Sequence, residues 1–328
     1  MKRRLEVSIE RFPIAGRFSI ARGSKTEAVV VTVTIHDGKV HGRGECVPYT
    51  RYGETVEGVC ATIENIREQL VAGLDRTQLQ RTLPAGAARN AVDSALWDFE
   101  AKLSGKSVSS QIGIMQLLPV TTAYTISLDS PEKMAEMAAK DSQRPILKIK
   151  LGAPDGDLDR IWAVRNAAPL ATLIADANEG WTESNIASHL AACAEAKYAL
   201  IEQPLPSKTD ELLRTLKRPV RLCADESVHD RKSLARLKGL YDCVNIKLDK
   251  TGGLTEALEL AKAAEALDFE IMIGCMVGSS LAMAPALMLA QRAQFVDLDG
   301  PLLLARDREN GLRYENSRLY PPLPELWG

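Results

Sequence analysis

The six cysteines, at 46, 60, 193, 223, 243 and 275, contain no Cys-x-x-Cys pair, and no histidine stands at zinc-finger spacing. That excludes a zinc ribbon or a disulfide scaffold and leaves reduced core residues of a cytoplasmic protein as the reading. Charge of one sign is lacking too. Lys+Arg total 41 against Asp+Glu 43, a formal net charge of −2, which gives no pull toward nucleic acid or an anionic membrane. There is no long hydrophobic run: the most apolar stretch, MVGSSLAMAPALMLA (276–290), is too short and too interrupted to span a bilayer. The opening MKRRLEVSIERF passes straight into an alternating strand pattern, without the apolar core of a secretory signal. No low-complexity segment or long linker divides the chain.

What is present is a repeat. Between about residues 120 and 300, short apolar runs alternate with amphipathic helical stretches. The runs are TTAYTISL, ILKIKL, ATLIADAN, YALIEQP, VRLCADES, DCVNIKLD, FEIMIGC and QFVDLDG, eight in all. Among the helices between them, DGDLDRIWAVRNAA offers a stripe of Leu158, Ile161, Trp162 and Val164, and GLTEALELAKAAEAL has turn chemistry in front of good helix formers. Polar residues recur at the strand ends: Lys150, Asp176, Glu202, Asp225 and Lys247 follow one another at intervals of 26, 26, 23 and 22 residues. One strand, one helix and two loops need about that much chain. The fold class is therefore α/β, with eight units closing into a modified (β/α)8 TIM-type barrel over 116–300. An open doubly wound sheet would need a glycine-rich first turn, which is missing, and would not bring charges from five strand ends together.

The first 115 residues read as an α+β domain capping that barrel. EAVVVTVTIH and KVHGRGECVP flank Asp-Gly, a hairpin signal, and ETVEGVCATIENIREQL and GAARNAVDSALWDFEAKLSG are helical. In the second helix Val92, Leu96, Phe99 and Leu103 share a face and Gly105 supplies a C-cap. The tail, about 301–328, is expected to pack back on this domain.

Barrels of this kind gather their chemistry at the C-terminal strand ends. There the sequence sets Lys148 and Lys150, Asp176 and Asn178, Glu202, Asp225 and Glu226, Lys247 and Asp249, then Asp297 and Asp299. Any one carboxylate reads equally well as a helix cap. Asp176, Glu202 and Asp225 together, on three successive strands, would repel one another without a counter-charge. All-oxygen ligation suits one Mg²⁺ per subunit better than zinc. Lys150 arrives before these ligands and Lys247 after them, so a closed barrel places an amine on each side of a bound substrate. Lys148 is two residues from Lys150 on the same strand face. Two cations ~7 Å apart at an effective dielectric of ~20 repel by about 2.4 kcal/mol, which lowers an amine's pKa by roughly 1.7 and readies it as a base. A metal and two opposed amines suit proton abstraction next to a carboxylate, whose enediolate the metal stabilises while the second lysine returns the proton to the opposite face. That is a racemase or epimerase design.

In order and spacing, KIKLG, DANEGW, EQP, ADES and NIKLDKTGG resemble the barrel motifs of the enolase superfamily, over nearly the whole chain. The Lys-x-Lys pair on strand two and the lysine on strand six match its muconate-cycloisomerase-like subgroup. The missing histidine after strand seven, which ends IGCM, argues against the mandelate-racemase-like branch. Within the subgroup the chain resembles the dipeptide epimerases, those acting on L-Ala-D/L-Glu, because of DLDG at 297–300. The resemblance implies that Asp297 and Asp299 bind a dipeptide's α-ammonium, that Lys150 and Lys247 exchange the α-proton, and that murein peptide recycling is the pathway. IARGSKTEA and PYTRYGE resemble mobile capping loops, and Arg22 is the candidate for gripping a glutamate side-chain carboxylate, while Tyr49, Arg51 and Tyr52 shape the pocket. Asn178, Glu226 and Asp249 are expected to support the metal ligands. Other enzymes of the subgroup stay open: a dipeptide epimerase of other specificity, an N-acylamino acid racemase, an o-succinylbenzoate synthase or a cycloisomerase. So does a catalytically silent barrel that only binds. Barrels of this kind often self-associate, which leaves a homo-oligomer open, though no interface is legible in the sequence.

Overall fold

The computed structural model describes residues 3–328. The chain begins with a long antiparallel hairpin, β1 (Arg4–Ile20) and β2 (Gly23–Asp37), and β3 (Val40–Cys46) returns along β2 after a tight turn at Gly38-Lys39. Four helices follow, α1 (Val56–Glu64), α2 (Arg67–Val71), α3 (Arg76–Thr82) and the long α4 (Ala87–Ser104), then the short α5 (Val108–Gln111). The stretch expected as one helix from Glu54 to Leu70 is broken at Asn65–Ile66.

Helix α4 lies directly on β3 because Gly42 and Gly44 leave room for its backbone. A Cβ on Gly44 would stand 2.1 Å from the Ala91 carbonyl oxygen, and one on Gly42 would stand 2.2 Å from the Phe99 nitrogen. With the sheet on one side and the barrel on the other, α4 is buried nearly all round. The expected one-sided stripe ends early: Val92, Leu96 and Phe99 are buried, but Leu103 is 56% exposed.

After β4 (Val120–Thr121) the eight predicted strands form one curled parallel sheet in chain order: β5 (Tyr124–Ile126), β6 (Ile146–Lys150), β7 (Thr172–Asp176), β8 (Tyr198–Glu202), β9 (Arg221–Ala224), β10 (Cys243–Ile246), β11 (Glu270–Ile273) and β12 (Phe295–Val296). Its two edges meet where Ala123 N–H donates to Val296 O at 2.8 Å and Leu298 N–H donates to the Thr122 hydroxyl. Around it run α6 (Pro131–Lys140), α7 (Asp157–Ala167), α8 (Ile186–Glu195), α9 (Leu234–Leu237), α10 (Leu248–Thr251), α11 (Leu254–Glu265) and α12 (Ser280–Ala290). Between β8 and β9 the crossover holds only a 3₁₀ turn, Asp210–Arg214. Helix α7 also differs in phase from the sequence reading. Asp157, Ile161 and Val164 face the sheet, while Leu158 and Trp162 are 41% and 38% exposed. The reason is that Asp157 is drawn inward to accept from the Gly152 N–H and the Trp181 indole.

The tail returns to the N-terminal domain. Arg308 donates to Glu10 and Glu45, Ala305 N–H to Pro13 O, and the Trp327 indole to Ser94 O. Before that contact β13 (Tyr314–Glu315) and β14 (Arg318–Leu319) form a small sheet with β4. Among the described residues no helix is long and apolar enough to cross a membrane.

Candidate active site

Parallel register aligns the strand ends. Lys150 pairs with Asp176 across β6 and β7, and Asp176 with Glu202 across β7 and β8, so cation and anions emerge side by side. Side chains two apart on a strand share a face, which sends Lys148 and Lys150 inward together, and likewise Asn245 and Lys247. All of these groups are buried, none above 6% exposed.

Lys150 Nζ bonds Asp176 Oδ2 at 2.5 Å. Lys247 Nζ bonds Asp225 Oδ2 at 2.6 Å and lies 3.7 Å from Glu202 Oε1. Strands β6 and β10 are four positions apart in a curled sheet of eight, so the two lysines approach from opposite sides. Lys148 is not a bare cation beside Lys150. Its Nζ lies 2.6 Å from Glu202, 2.7 Å from Asp297 and 3.3 Å from Asp176. Burial disfavours its charge, but those three carboxylates outweigh it and hold its pKa well above the ordinary value. The repulsion expected from an isolated Lys148 is therefore offset locally, and its ammonium bridges the candidate metal ligands and Asp297.

The carboxylates divide. Burial opposes ionisation of Asp176, but Lys150 and Lys148 prevail and set its pKa far below the usual carboxylate range. Asp225 is depressed in the same way, against burial, by Lys247 and Lys250. Burial and the neighbouring Asp176 charge instead push Glu202 up to about 6. Among the described residues no three His, Cys, Asp or Glu side chains stand together in ligating geometry. The donor set itself fits a hard divalent cation: three buried carboxylates on adjacent strand ends supply oxygen ligands.

Asp297 and Asp299 lie after β12. Asp299 Oδ2 accepts from the Thr125 N–H at 2.7 Å, and burial with the Asp297 charge pushes its pKa up to about 7. Asp297 Oδ1 is buried without a hydrogen-bond partner among the described residues. Glu226 is pushed up to about 7 by burial and the Asp225 charge. Asn178, in a left-handed conformation (φ 45°), donates its N–H to Asp176 Oδ1 and gives its carbonyl to Arg22.

Two placements differ from expectation. Asp249 does not face the ligands: its Oδ1 accepts from the Val47 N–H and from Asn90 Nδ2, so it ties the barrel to the N-terminal domain. The one-turn helix α10 rotates it there, away from Lys247. Arg22, at the hairpin tip, is held by protein groups, Glu226 Oε1 at 2.7 Å, Asn178 O at 2.6 Å and Glu179 at 3.4 Å. The tip is fastened further by Leu128 N–H to Ser19 O and by Arg51, which grips Glu179 with two bonds of 2.7 and 2.8 Å. Beneath the tip lies a cavity of about 410 Å³ reaching from Phe18, Tyr49 and Tyr52 down to Lys150, Lys247 and Asp225.

Three residues were missed from sequence. Lys250 Nζ bonds Asp225 Oδ1 at 2.5 Å, Asn245 Nδ2 bonds Glu202 Oε1 at 2.6 Å, and Gln203 Oε1 accepts from the N–H groups of Asp225 and Ser227. Asn-x-Lys before strand six's end, echoing Lys-x-Lys on strand two, was a signal for Asn245. Lys250 looks like any solvated helix lysine.

A curled eight-stranded parallel sheet under an N-terminal hairpin, with buried lysines opposed across a row of carboxylates, defines an enolase-type barrel. The chain belongs to the mandelate racemase/muconate lactonizing enzyme family. The N-terminal domain of that family matches residues 3–113 and the enolase C-terminal domain-like family matches 132–322. It is 45% identical to L-Ala-D/L-Glu epimerase of Escherichia coli over 97% of this chain and 99% of that one. It is 42% identical to N-acetyl-D-glutamate racemase of a Pseudoalteromonas species, over 91% and 95%. Among solved structures, an enolase family member from Agrobacterium tumefaciens with homology to dipeptide epimerases, holding sodium and L-Ala-L-Glu, superposes with a TM-score of 0.98 at 56% identity, over 99% of this chain and 100% of that one. The dipeptide epimerase of Enterococcus faecalis, complexed with Mg and L-Leu-L-Tyr, gives 0.91 at 29% identity, over 98% and 97%. These relatives are isomerases acting on amino acid derivatives.

Proposed function

We propose that this protein inverts the α-carbon of the C-terminal residue of an L-Ala-D/L-Glu dipeptide. The observation that carries this is the opposed pair Lys150 and Lys247, each within hydrogen-bond distance of a buried carboxylate. One lysine, as the neutral amine, takes the α-proton, and the electron pair left on carbon spreads into the adjacent carboxylate as an enediolate. The ammonium opposite then donates a proton to the other face, so the centre inverts and no atom is gained or lost. Asp176, Glu202 and Asp225 would hold one Mg²⁺, which when bound supplies positive charge to the substrate carboxylate. Lys148 keeps the Asp297 side of the site in register with those ligands.

Asp297 favours a substrate with a free ammonium, because its unpartnered buried oxygen needs a donor. N-acetylglutamate racemisation is the second reading, favoured by the Pseudoalteromonas relative. Its substrate lacks that ammonium. We assign the reaction to murein peptide recycling, because small peptides of this kind arise in cell-wall turnover, and to the cytoplasm, a reading that six unbridged cysteines support.

The test is ¹H NMR of α-hydrogen exchange in deuterated water with L-Ala-L-Glu and N-acetyl-D-glutamate. The dipeptide exchanges and epimerises with Mg²⁺, stops with EDTA, and recovers when Mg²⁺ is restored. Faster turnover of the N-acetyl compound sinks the dipeptide assignment, and exchange of neither sinks the epimerase reading.

A further inference from the structure

Gln203 follows the candidate ligand Glu202 directly and bonds the segments that carry the other two. Its carbonyl accepts from the Glu179 N–H, three residues past Asp176, at 2.9 Å. Its side-chain Oε1 accepts from the N–H groups of Asp225 at 2.9 Å and Ser227 at 3.1 Å. The residue is fully buried and its backbone is left-handed, with φ 35°. A residue with a side chain keeps that conformation only where its surroundings hold it there.

A carboxylate behind the amide fixes which way it faces. Gln203 Nε2 shares its two hydrogens among Leu205 O and the Ser227 hydroxyl, both at 2.8 Å, and the Tyr241 hydroxyl at 3.0 Å. Each hydroxyl in turn donates to Asp210 Oδ2, at 2.5 and 2.9 Å. A carboxylate offers no hydrogen, so both hydroxyls commit theirs to Asp210 and turn lone pairs toward Gln203. The amide then meets them with its NH₂ and keeps Oε1 for the Asp225 N–H. Arg236 on α9 pairs with Asp210 at 2.6 Å and offsets its buried charge.

The irregular crossover between β8 and β9 is what delivers Asp210. This residue opens the 3₁₀ turn that stands where the β7–β8 and β10–β11 crossovers carry α8 and α11, and it is fully buried. Asp210, Tyr241, Ser227 and Gln203 all lie outside the cavity over Lys150 and Lys247. Their reach into the site runs through backbone, at the Asp225 N–H. Ligand spacing matters most to a small ion. Mg²⁺ needs near-octahedral oxygens at about 2.0–2.1 Å, whereas Ca²⁺ accepts about 2.3–2.6 Å in looser geometry.

We propose that Asp210, acting through Tyr241, Ser227 and the positioning residue Gln203, fixes the spacing of Glu202 and Asp225 and so sets the preference of the site for Mg²⁺ over larger cations. This rests on the reading of those carboxylates as Mg²⁺ ligands. The experiment is calorimetric titration of Mg²⁺ and of Ca²⁺ into metal-free wild-type, Asp210→Asn and Tyr241→Phe protein. Gly44→Ala, which loses stability at the remote contact of α4 with β3, is the control. Asp210→Asn raises the Mg²⁺ dissociation constant by about 10- to 100-fold and Tyr241→Phe by about tenfold. The Ca²⁺ constant moves by less than about threefold in both, and Gly44→Ala leaves the ratio of the two constants unchanged. Tyr241→Phe keeps the ring in place and carries the test if Asp210→Asn fails to fold. Equal weakening of both cations, no change in either, or the same shift of ratio in Gly44→Ala overturns the proposal while wild-type Mg²⁺ binding leaves the ligand reading standing. A wild-type protein that binds no Mg²⁺ refutes the ligand reading itself, and the proposal with it.

Discussion

At the barrel mouth Asp176 and Asp225 are each contacted by two lysines, whereas at the junction between the domains Asp93 and Asp249 are held by backbone N–H groups and side-chain amides. All four are buried, yet their pKa values move apart. Burial is overcome by lysine charge at the mouth, and the carboxylates stay ionised. Burial prevails at the junction, and Asp93 rises to about 6 and Asp249 to about 7. The difference separates two uses of one side chain. An ionised carboxylate within reach of an amine can take a cation and release a proton carrier. A carboxyl group held by amides organises backbone. The junction sites fix the chain directly after Lys247: Asp93 accepts from the Thr255 N–H at the start of α11, and Arg89 donates to the carbonyls of Thr251 and Gly252.

The comparison predicts a dissociation between activity and stability. Lys150→Ala or Lys247→Ala lowers epimerisation by about 10³-fold, in the range of a lost acid–base group. The unfolding midpoint in urea moves little, because each carboxylate keeps a second lysine, Lys148 beside Asp176 and Lys250 beside Asp225. Each variant should still exchange the α-proton of one epimer from the face that keeps its lysine, visible by NMR in deuterated water. A variant that epimerises normally, or unfolds at much lower urea, breaks the division.

Arg89→Ala should act the other way. It strips donors from four carbonyl oxygens, those of Gln80, Leu83, Thr251 and Gly252, in a site where Arg89 is 7% exposed. Unsatisfied buried acceptors of this number cost about 4 kcal/mol, read as a lower urea midpoint. Activity per folded molecule falls only about tenfold, through looser placement of Lys247. Gly44→Ala, on the far side of α4, costs about 3 kcal/mol by pushing the helix off β3, with kcat of the folded fraction nearly unchanged.

The mouth was far more legible in the sequence than the junction. Strand alternation fixes which face a side chain takes, so Lys150, Asp176, Glu202, Asp225 and Lys247 could be placed on adjoining strand ends from their intervals alone. A helix of one turn has no such parity. Asp249 and Lys250 in α10 are adjacent in sequence, yet one reaches Asn90 and Val47 while the other reaches Asp225. Arg22 was hidden for another reason: its partners lie 156 to 204 residues away, on loops that become neighbours only when the hairpin tip meets the barrel. The eight strands were visible as apolar runs. The missing α-helix between β8 and β9 was not, because DELLR has ordinary helix formers and only its short span holds it to a 3₁₀ turn.

The smallest effect is a pH dependence at Asp93. Its carboxyl sits at about 6 in the folded state, against about 3.9 for an ordinary aspartate, raised by burial in spite of the Thr255 hydrogen bond and the charges of Arg76 and Arg89. Between those values the folded state binds more protons than the unfolded state, so this residue's contribution falls as pH rises from 4 to 6, and the cost of its ionisation persists above. Mouth carboxylates with depressed values have the opposite sign: their contribution is present above the unfolded value and is lost as pH falls. For Asp93 the linkage amounts to about 2 kcal/mol between pH 4.5 and 7. Asp93→Asn removes it, so the variant's stability relative to wild type should be better at pH 7 than at pH 4.5 by that amount, whatever the lost hydrogen bond costs at both. Urea titrations of the two proteins at both pH values measure it. A relative stability that does not change with pH would mean that Asp93 is ionised without penalty, and the junction would then handle charge as the mouth does.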